Sequence, residues 1–154
     1  MNLPAGYATD VVIRLEANLD DLSPEITGAV LENLLAAGAL DVWLTPIQMK
    51  KNRPAVLLSV LAEEPLVERL ADIIFTETST FGLRLEEVSR LKLDREFREV
   101  VTEFGKIIVK FGLRAGRILQ VAPEFESCRA VSERSGQPLK AVYDAAKRAA
   151  ADGV

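Results

Sequence analysis

The sequence predicts an α+β fold in which short strands alternate with amphipathic helices. Three observations support this class. The segment from Val11 to Leu15 alternates inward and outward residues with the period of a half-buried strand. Apolar residues at helical spacing follow it and end at Gly38. Two further strands, a second helix and another strand come next along the chain.

The first helix is predicted to begin after Ser23 and to end before Gly38. The Ser23 hydroxyl can cap the free N–H groups of the first turn, and Pro24 suits the first helical position because it has no N–H to satisfy. Gly38 suits the left-handed residue that follows many helices. The apolar face of this helix would consist of Ile26, Val30, Leu34 and Ala37.

The middle of the chain predicts a hairpin and a second helix. The segments "ALDVWLTPIQM" and "AVLLSVLA" are apolar and are joined by the charged segment from Lys50 to Pro54. The segment after Pro65 has helical spacing, and "FGLRLEEVSRLKL" predicts one more strand. The order from Asp10 to Leu93 is therefore strand, helix, strand, strand, helix, strand, which is the ferredoxin-like split βαβ arrangement.

The remainder of the chain predicts a second β-hairpin around Gly105, a short strand from Ile118 to Val121 and two short C-terminal helices. The first helix would span about residues 124–135 and the second would open at Pro138. For the domain organisation we expect a flexible lead-in over residues 1–9, a ferredoxin-like core over 10–95, and a hairpin and helical extension over 96–154 that packs on the core as one domain.

Composition excludes several classes of function. The net charge of -4 argues against a general nucleic-acid binder. The chain has no histidine, which excludes a histidine general base and the usual imidazole ligands of zinc, copper or nickel within it. Any metal site must therefore use carboxylates, which favour Mg²⁺ or Mn²⁺.

Cysteine content and the lack of long apolar segments bear on location. Cys128 is the single cysteine, so an internal disulfide is impossible, and its surroundings favour a small buried residue over a reactive thiol. No apolar run approaches the ~18 residues of a spanning helix. The first ten residues contain no basic region followed by an apolar stretch, so we do not interpret them as a secretory signal. We therefore expect a cytoplasmic protein that does not enter the membrane.

A carboxylate cluster lies at the predicted junction of the first strand and first helix, in "EANLDDLSPE". Carboxylate oxygens at this density can hold a hard cation, with water and a nucleotide phosphate completing the shell. Acidic residues at a helix start are also common, because they interact favourably with the helix dipole. The pattern leaves both interpretations open for Glu16, Asp20, Asp21 and Glu25.

The predicted hairpin turn contains Lys50, Lys51, Asn52 and Arg53. Its cations and backbone N–H groups can bind phosphate oxygens, and an arginine can do so with two hydrogen bonds. The same charges can instead keep a turn soluble and protect edge strands. Arg84 follows the second helix in "TETSTFGLR", where its distance from Lys50 cannot be derived from the sequence.

Four segments together resemble the C-terminal part of the LarC family of nickel insertion proteins. The segments are "EANLDDLSPE", "GALDVWLTPIQMKKNRP", "ETSTFGLR" and "APEFESCR". Departures from the family pattern are Ala55 in place of a glycine, Phe81 in place of a smaller apolar residue, and Ser127 in place of an acidic residue. The family's longer N-terminal portion is absent from this sequence.

The resemblance implies a role in making the nickel-pincer nucleotide cofactor of lactate racemase. It implies nickel insertion into a pyridinium bis-thiocarboxylate mononucleotide, with CTP and Mn²⁺ or Mg²⁺ bound by this part of the protein. Nickel would be the substrate ion, handled mainly by the N-terminal portion, which would be a partner of this domain. Under the resemblance, Lys50, Lys51, Asn52, Arg53 and Arg84 bind the nucleotide, and Asp20 and Asp21 hold the divalent ion with Glu16 or Glu25 assisting.

Other interpretations of the sequence remain open. A ferredoxin-like regulatory module could bind a nucleotide without turning it over. An RNA-recognition module is disfavoured because the strands offer Trp43 and few other aromatic residues for base stacking. Apolar residues on a predicted edge strand, Ile107, Val109 and Phe111, would be a liability in a monomer. We therefore expect a homo-oligomer, a trimer or a hexamer.

Overall fold

The computed structural model describes residues 5–152. The chain divides into two compact units. One unit is Thr9–Arg90, and the other combines the residues up to Ala8 with those from Leu91 onward. Residues 1–4 of the predicted lead-in lie outside the described residues, and the first strand already begins at Ala8. That the 96–154 extension packs on the 10–95 core as one domain stays a prediction.

The Thr9–Arg90 unit has the predicted ferredoxin-like arrangement. The α+β prediction is confirmed, with elements β1 (Ala8–Leu19), α1 (Pro24–Ala36), β2 (Asp41–Met49), β3 (Arg53–Ala62), α2 (Val67–Glu77) and β4 (Arg84–Lys92). The sheet has the strand order β2-β3-β1-β4, and β3 pairs antiparallel with both β1 and β2. Short 3₁₀ turns cover Lys50–Asn52 and Glu64–Leu66.

The first helix begins and ends where the sequence predicts. The Ser23 hydroxyl accepts a hydrogen bond from the Ile26 N–H at 3.4 Å, and Pro24 is the first helical residue. Gly38 follows the helix with φ +105°, a backbone conformation that residues with a side chain rarely adopt. These caps fix the direction in which the chain leaves β1 and enters β2.

Both helices of this unit pack on one face of the sheet. Alternation along β1 directs Leu15, Ala17 and Leu19 into the core and places Arg14, Glu16 and Asn18 on the opposite face. Glu16 lies directly across from Ser59 of β3. The polar residues of β1 therefore lie on the face of the sheet that no helix of this unit covers. The core residues are Leu15, Ala17, Leu19, Val30, Leu34, Ala37, Leu58, Val60, Ala62, Leu70 and Ile74.

The second unit is a three-stranded antiparallel sheet with two helices. The predicted hairpin, third strand and two helices are confirmed as β5 (Asp94–Thr102), β6 (Gly105–Arg114), β7 (Arg117–Pro123), α3 (Phe125–Ser135) and α4 (Leu139–Asp152). The strand order is β5-β6-β7, so β6 is central. Gly136 ends α3 with φ +69°, as predicted for its capping position.

The apolar edge strand from which we expected an oligomer is not an edge strand. Ile107, Val109 and Phe111 lie on the central strand β6 and are buried against residues of α3 and α4, so they form no exposed edge. Cys128 belongs to the same cluster and is fully buried. Burial raises the pKa of the Cys128 thiol, and the negative charge of Glu124 adds to this effect.

None of the helices within residues 5–152 combines the length and the apolar character that crossing a bilayer requires.

Ser127, one of the departures from the family pattern, has a structural contact. Its hydroxyl accepts a hydrogen bond from the Ile108 N–H at 2.9 Å and so joins the start of α3 to β6.

Candidate functional site

Three loops meet at one end of the sheet in the Thr9–Arg90 unit. They are the segment after β1, the Lys50–Asn52 turn before β3, and the segment between α2 and β4. Because β1 and β3 are antiparallel, the end of β1 adjoins the start of β3, and β4 lies beside β1 on its other side. The topology therefore brings together all three sequence segments that carried candidate residues.

The first link between these loops is an ion pair. Arg53 Nη1 lies 3.0 Å from Asp20 Oδ2, and the two side chains are 56% and 23% exposed. An exposed pair of this kind contributes only about 0–1 kcal/mol to stability. A ligand that carries more negative charge can therefore replace Asp20 as the partner of the Arg53 guanidinium with little loss of stability.

The second link joins the acidic segment to the loop before β4. The Ser79 hydroxyl donates a hydrogen bond to Asp21 Oδ1. Within that loop the Thr80 hydroxyl donates to the Gly82 carbonyl at 3.0 Å, which holds a compact turn. Asp21 and the Thr78–Leu83 segment are thus neighbours, a relation that spacing along the sequence does not reveal.

Arg84 is held at this end of the sheet by two residues of β1. Its Nη2 donates to Asn18 Oδ1 at 2.7 Å, and its Nε lies 3.5 Å from Glu16 Oε2. The other oxygen of Glu16 lies 3.4 Å from Arg14 Nε and accepts from the Ser59 hydroxyl at 3.5 Å. Glu16 therefore lies between two guanidinium groups, and its contacts position Arg84.

The Lys50–Asn52 turn has an unusual backbone. Lys51 and Asn52 have φ of 61° and 56°, in the left-handed region. Asparagine tolerates this region better than most residues, whereas a lysine there is strained by about 1–2 kcal/mol. Lys50 and Lys51 are exposed and make no ion pair with the described residues. Strain of this kind tends to persist at functional positions.

An apolar cavity of about 300 Å³ adjoins Asp20. It lies between the start of α1 and the paired ends of β2 and β3. Among its described lining residues Asp20 carries the one charge. Ala55, which occupies a position where the family pattern has glycine, is part of its wall, together with Leu19, Leu22, Pro24, Thr27, Leu44, Pro54 and Val56.

The predicted carboxylates do not form a closed metal cage. Within the part of the chain that the structure describes, no group of three or more Asp, Glu, Cys or His side chains could hold a metal ion. Glu25 is exposed in the first turn of α1. Asp20 and Asp21 lie side by side, one against Arg53 and the other against Ser79. The metal assignment stays a prediction that needs further oxygen ligands from a phosphate.

Sequence reasoning missed several residues of this site. Asn18 and Ser59 contact predicted residues directly, and so do Arg14 and Ser79. Alternation along β1 carried a signal for Arg14 and Asn18, because both share a face with Glu16. Ser79 lies in "TETSTFGLR", one of the segments with candidate residues, but its contact with Asp21 could not be predicted, and nothing in the local sequence indicated Ser59; both contacts depend on strand order.

Comparison with known proteins identifies the family. The family described as "Nickel insertion protein" matches residues 2–143. The chain belongs to this family. Over 132 residues it is 50% identical to a "Putative nickel insertion protein" of Myxococcus xanthus, a match that covers 86% of this chain and 34% of that protein.

A second relative has a more specific description. The chain is 49% identical over 140 residues to the "Pyridinium-3,5-bisthiocarboxylic acid mononucleotide nickel insertion protein" of Acetivibrio thermocellus, with 91% of this chain and 34% of that protein covered. The chain thus spans about a third of the length of these curated relatives.

A solved structure confirms the fold and the part of the family involved. It is LarC2 in its apo form, described as the C-terminal domain of a cyclometallase involved in the synthesis of the NPN cofactor of lactate racemase. The TM-score is 0.85 at 38% sequence identity, and the match covers 93% of this chain and 99% of that one. The resemblance to the C-terminal part of the LarC family is confirmed.

Proposed function

We propose that this chain is the CTP- and divalent-metal-binding domain of a nickel insertase that acts on a pyridinium bis-thiocarboxylate mononucleotide. The observation that carries the proposal is that one end of the sheet holds the Asp20–Arg53 ion pair beside the Lys50–Asn52 turn, the contact of Asp21 with Ser79, and the contact of Arg84 with Asn18. Cations beside paired carboxylates suit a triphosphate that carries a metal ion.

The cationic residues would bind the triphosphate. Arg53 can exchange Asp20 for phosphate oxygens with little loss of stability, because their pair is exposed. Arg84 is already oriented by Asn18 and Glu16, so less conformational freedom is lost when it binds. Lys50 and Lys51 add positive charge from the exposed turn, and Asn52 adds hydrogen-bonding groups.

The acidic residues would hold Mn²⁺ or Mg²⁺ together with the nucleotide. Such ions are commonly bound through one or two carboxylates plus substrate phosphates, which fits Asp20 and Asp21 and does not require a protein cage. Glu16 would contribute by positioning Arg84, and Glu25 could reach the shell through water. When bound, the ion neutralises charge on the phosphates and orients them.

The apolar cavity beside Asp20 offers space for the nucleoside half of the nucleotide. Catalysis in such a site consists of positioning and charge stabilisation, so no side chain is assigned as a nucleophile. Nickel is the substrate ion and, in this proposal, is handled mainly by the other part of the full-length protein. A cytoplasmic location and a trimeric or hexameric assembly also belong to the proposal.

Calorimetric titration with CTP, ATP and GTP, each with and without Mn²⁺, tests the binding function. We expect saturable CTP binding that requires Mn²⁺ and is weaker for the purine nucleotides. Lack of binding by all three nucleotides would contradict the proposal for this chain. Release of pyrophosphate or phosphate from CTP, measured on the full-length protein with substrate and nickel, separates an enzyme from a module that only senses a nucleotide.

A further inference from the structure

The second unit has a hollow in the exposed face of its sheet. Arg95 of β5, Gly112 of β6 and Gln120 of β7 lie side by side across the three strands. The glycine occupies the middle of this row, so the central strand contributes no side chain there. The neighbouring row has Ala122 beside Lys110, which extends the hollow with a small residue.

Leu93 packs closely against Gly112. A Cβ atom at Gly112 would lie 2.7 Å from Leu93 Cδ1 and 3.3 Å from Gln120 Cβ. The first distance is shorter than real carbon contacts allow, so any side chain at residue 112 would displace Leu93. Leu93 therefore packs directly on the Gly112 backbone and supplies an apolar surface to the hollow.

The resulting cavity has a volume of about 290 Å³ and is lined by cations. Lys92, Arg95 and Lys110 border it, with the Gln120 amide as a further hydrogen-bonding group. Lys110 also forms an ion pair with Glu124 at 3.2 Å, in which both side chains are partly exposed. Three cations around an apolar wall contrast with the net charge of -4 of the whole chain.

We propose that this cavity binds a phosphate monoester that carries a flat, largely apolar ring, which is the chemistry of a mononucleotide. Arg95 and Lys110 would bind the phosphate, and Leu93 and Ala122 would contact the ring. If the proposed function is correct, the pyridinium mononucleotide substrate is the natural occupant. The cavity uses no residue of the proposed CTP site.

Charge and shape together favour this ligand class. An inorganic anion would use the cations and leave the wall of Leu93 unused, whereas an uncharged aromatic compound would leave the cations unused. A cavity of this size lies at the lower end of the range for small-molecule sites, which suits a mononucleotide. An acidic segment of a second copy of this chain is the rival occupant.

Titration of the chain with nicotinic acid mononucleotide, ribose 5-phosphate and inorganic phosphate tests the proposal. We expect saturable binding without a divalent ion, with affinity falling in that order because the ring and then the sugar are lost. Arg95→Gln and Lys110→Gln should each lower the affinity for nicotinic acid mononucleotide about tenfold, the size expected for a charged hydrogen bond.

Lys106→Gln is the matched control. Lys106 lies on the same face of the sheet, pairs with Glu99 at 2.7 Å and does not line the cavity. Its removal should leave the affinity within about twofold, because solvent and salt screen distant charges. Circular dichroism and thermal melting of each variant confirm that it is folded.

Three results would overturn the inference. They are absence of saturable binding by the wild-type chain, equal affinity for inorganic phosphate and nicotinic acid mononucleotide, and a loss in Lys106→Gln as large as that in Arg95→Gln. Mn²⁺-dependent CTP binding measured on the same samples reports the proposed function separately. Its survival in Arg95→Gln, together with loss of mononucleotide binding, would support two sites.

Discussion

The two units of the chain place their cations in different surroundings. In Thr9–Arg90, Arg53 and Arg84 lie at strand ends, each beside a carboxylate, and loops provide the remaining contacts. In the second unit, Arg95 and Lys110 lie on the exposed face of a sheet around Gly112. The first arrangement suits a ligand that brings its own metal ion, because the carboxylates can bind that ion. The second suits an anion without one.

Core burial sets the largest expected effect. Phe111 is buried beneath the helices of the second unit, whereas Phe97 is 58% exposed on the opposite face of the same sheet. We expect Phe111→Ala to lower the free energy of unfolding by about 3–5 kcal/mol, through lost burial and a cavity. Phe97→Ala should cost less than about 1 kcal/mol. Urea denaturation followed by circular dichroism measures both, and equal losses would contradict the described faces.

The two units each contain a hairpin turn with a strained residue that is not glycine, Lys51 in one and Ala115, with φ 49°, in the other. Lys51→Gly relieves the strain but removes a cation, so we expect stability to hold or rise by up to about 1 kcal/mol. Affinity for CTP with Mn²⁺ should fall about tenfold with the lost charge.

Ala115→Gly is the control for this change. It relieves similar strain in the second unit without changing charge, so its stability should also hold or rise and its CTP affinity should equal that of the wild type. Thermal melting and calorimetry give the two quantities. Unchanged CTP affinity in Lys51→Gly would remove Lys51 from the site.

A smaller effect is expected where one residue acts by positioning another. Glu16→Gln weakens the hold on Arg84 and should lower CTP affinity about threefold to fivefold, within the range of exposed ion pairs. Glu86→Gln removes one of the two carboxylate partners of Arg14 and no contact of Arg84, so CTP affinity should not change. If the two variants bound CTP equally well, Glu16 would have no positioning role.

The smallest effect concerns Cys128. Its raised pKa means that the folded state keeps the thiol proton to higher pH than the unfolded state does. The stability that this group contributes is complete below the pKa of the thiol in the unfolded state and is lost as pH rises through its higher pKa in the folded state. The difference between the wild type and Cys128→Ala in how the free energy of unfolding depends on pH above about pH 8 measures this contribution. Parallel curves would contradict the prediction.

Local patterns predicted the elements well because their causes are local. The cap at Ser23, the glycines after α1 and α3, and the alternation along β1 depend on residues a few positions apart. Charge patterns marked the candidate residues of the first site, and family resemblance assigned their roles. Contacts between distant segments could not be predicted, because the link from Asp21 to Ser79 depends on which strands are adjacent.

The features that the sequence predicted wrongly, or did not predict, also depend on which strands are adjacent. We expected an edge strand at Ile107, Val109 and Phe111. The structure instead pairs β6 with β5 on one side and with β7 on the other. The hollow at Gly112 had no signal in the sequence either, since it depends on Leu93 and on neighbours in two other strands. Such features follow from register across the sheet, which a single sequence leaves undetermined.

The most direct test uses the paramagnetism of Mn²⁺. The amide signals of the ¹⁵N-labelled chain would be recorded with CTP and traces of Mn²⁺, with Mg²⁺ as the diamagnetic reference. Selective broadening at Asp20, Asp21 and Ser79, dependent on CTP and abolished in Asp20→Ala, is the predicted result. Broadening centred on Arg95 and Lys110, or broadening that ignores CTP, would contradict the assignment of the metal and nucleotide site to the Thr9–Arg90 unit.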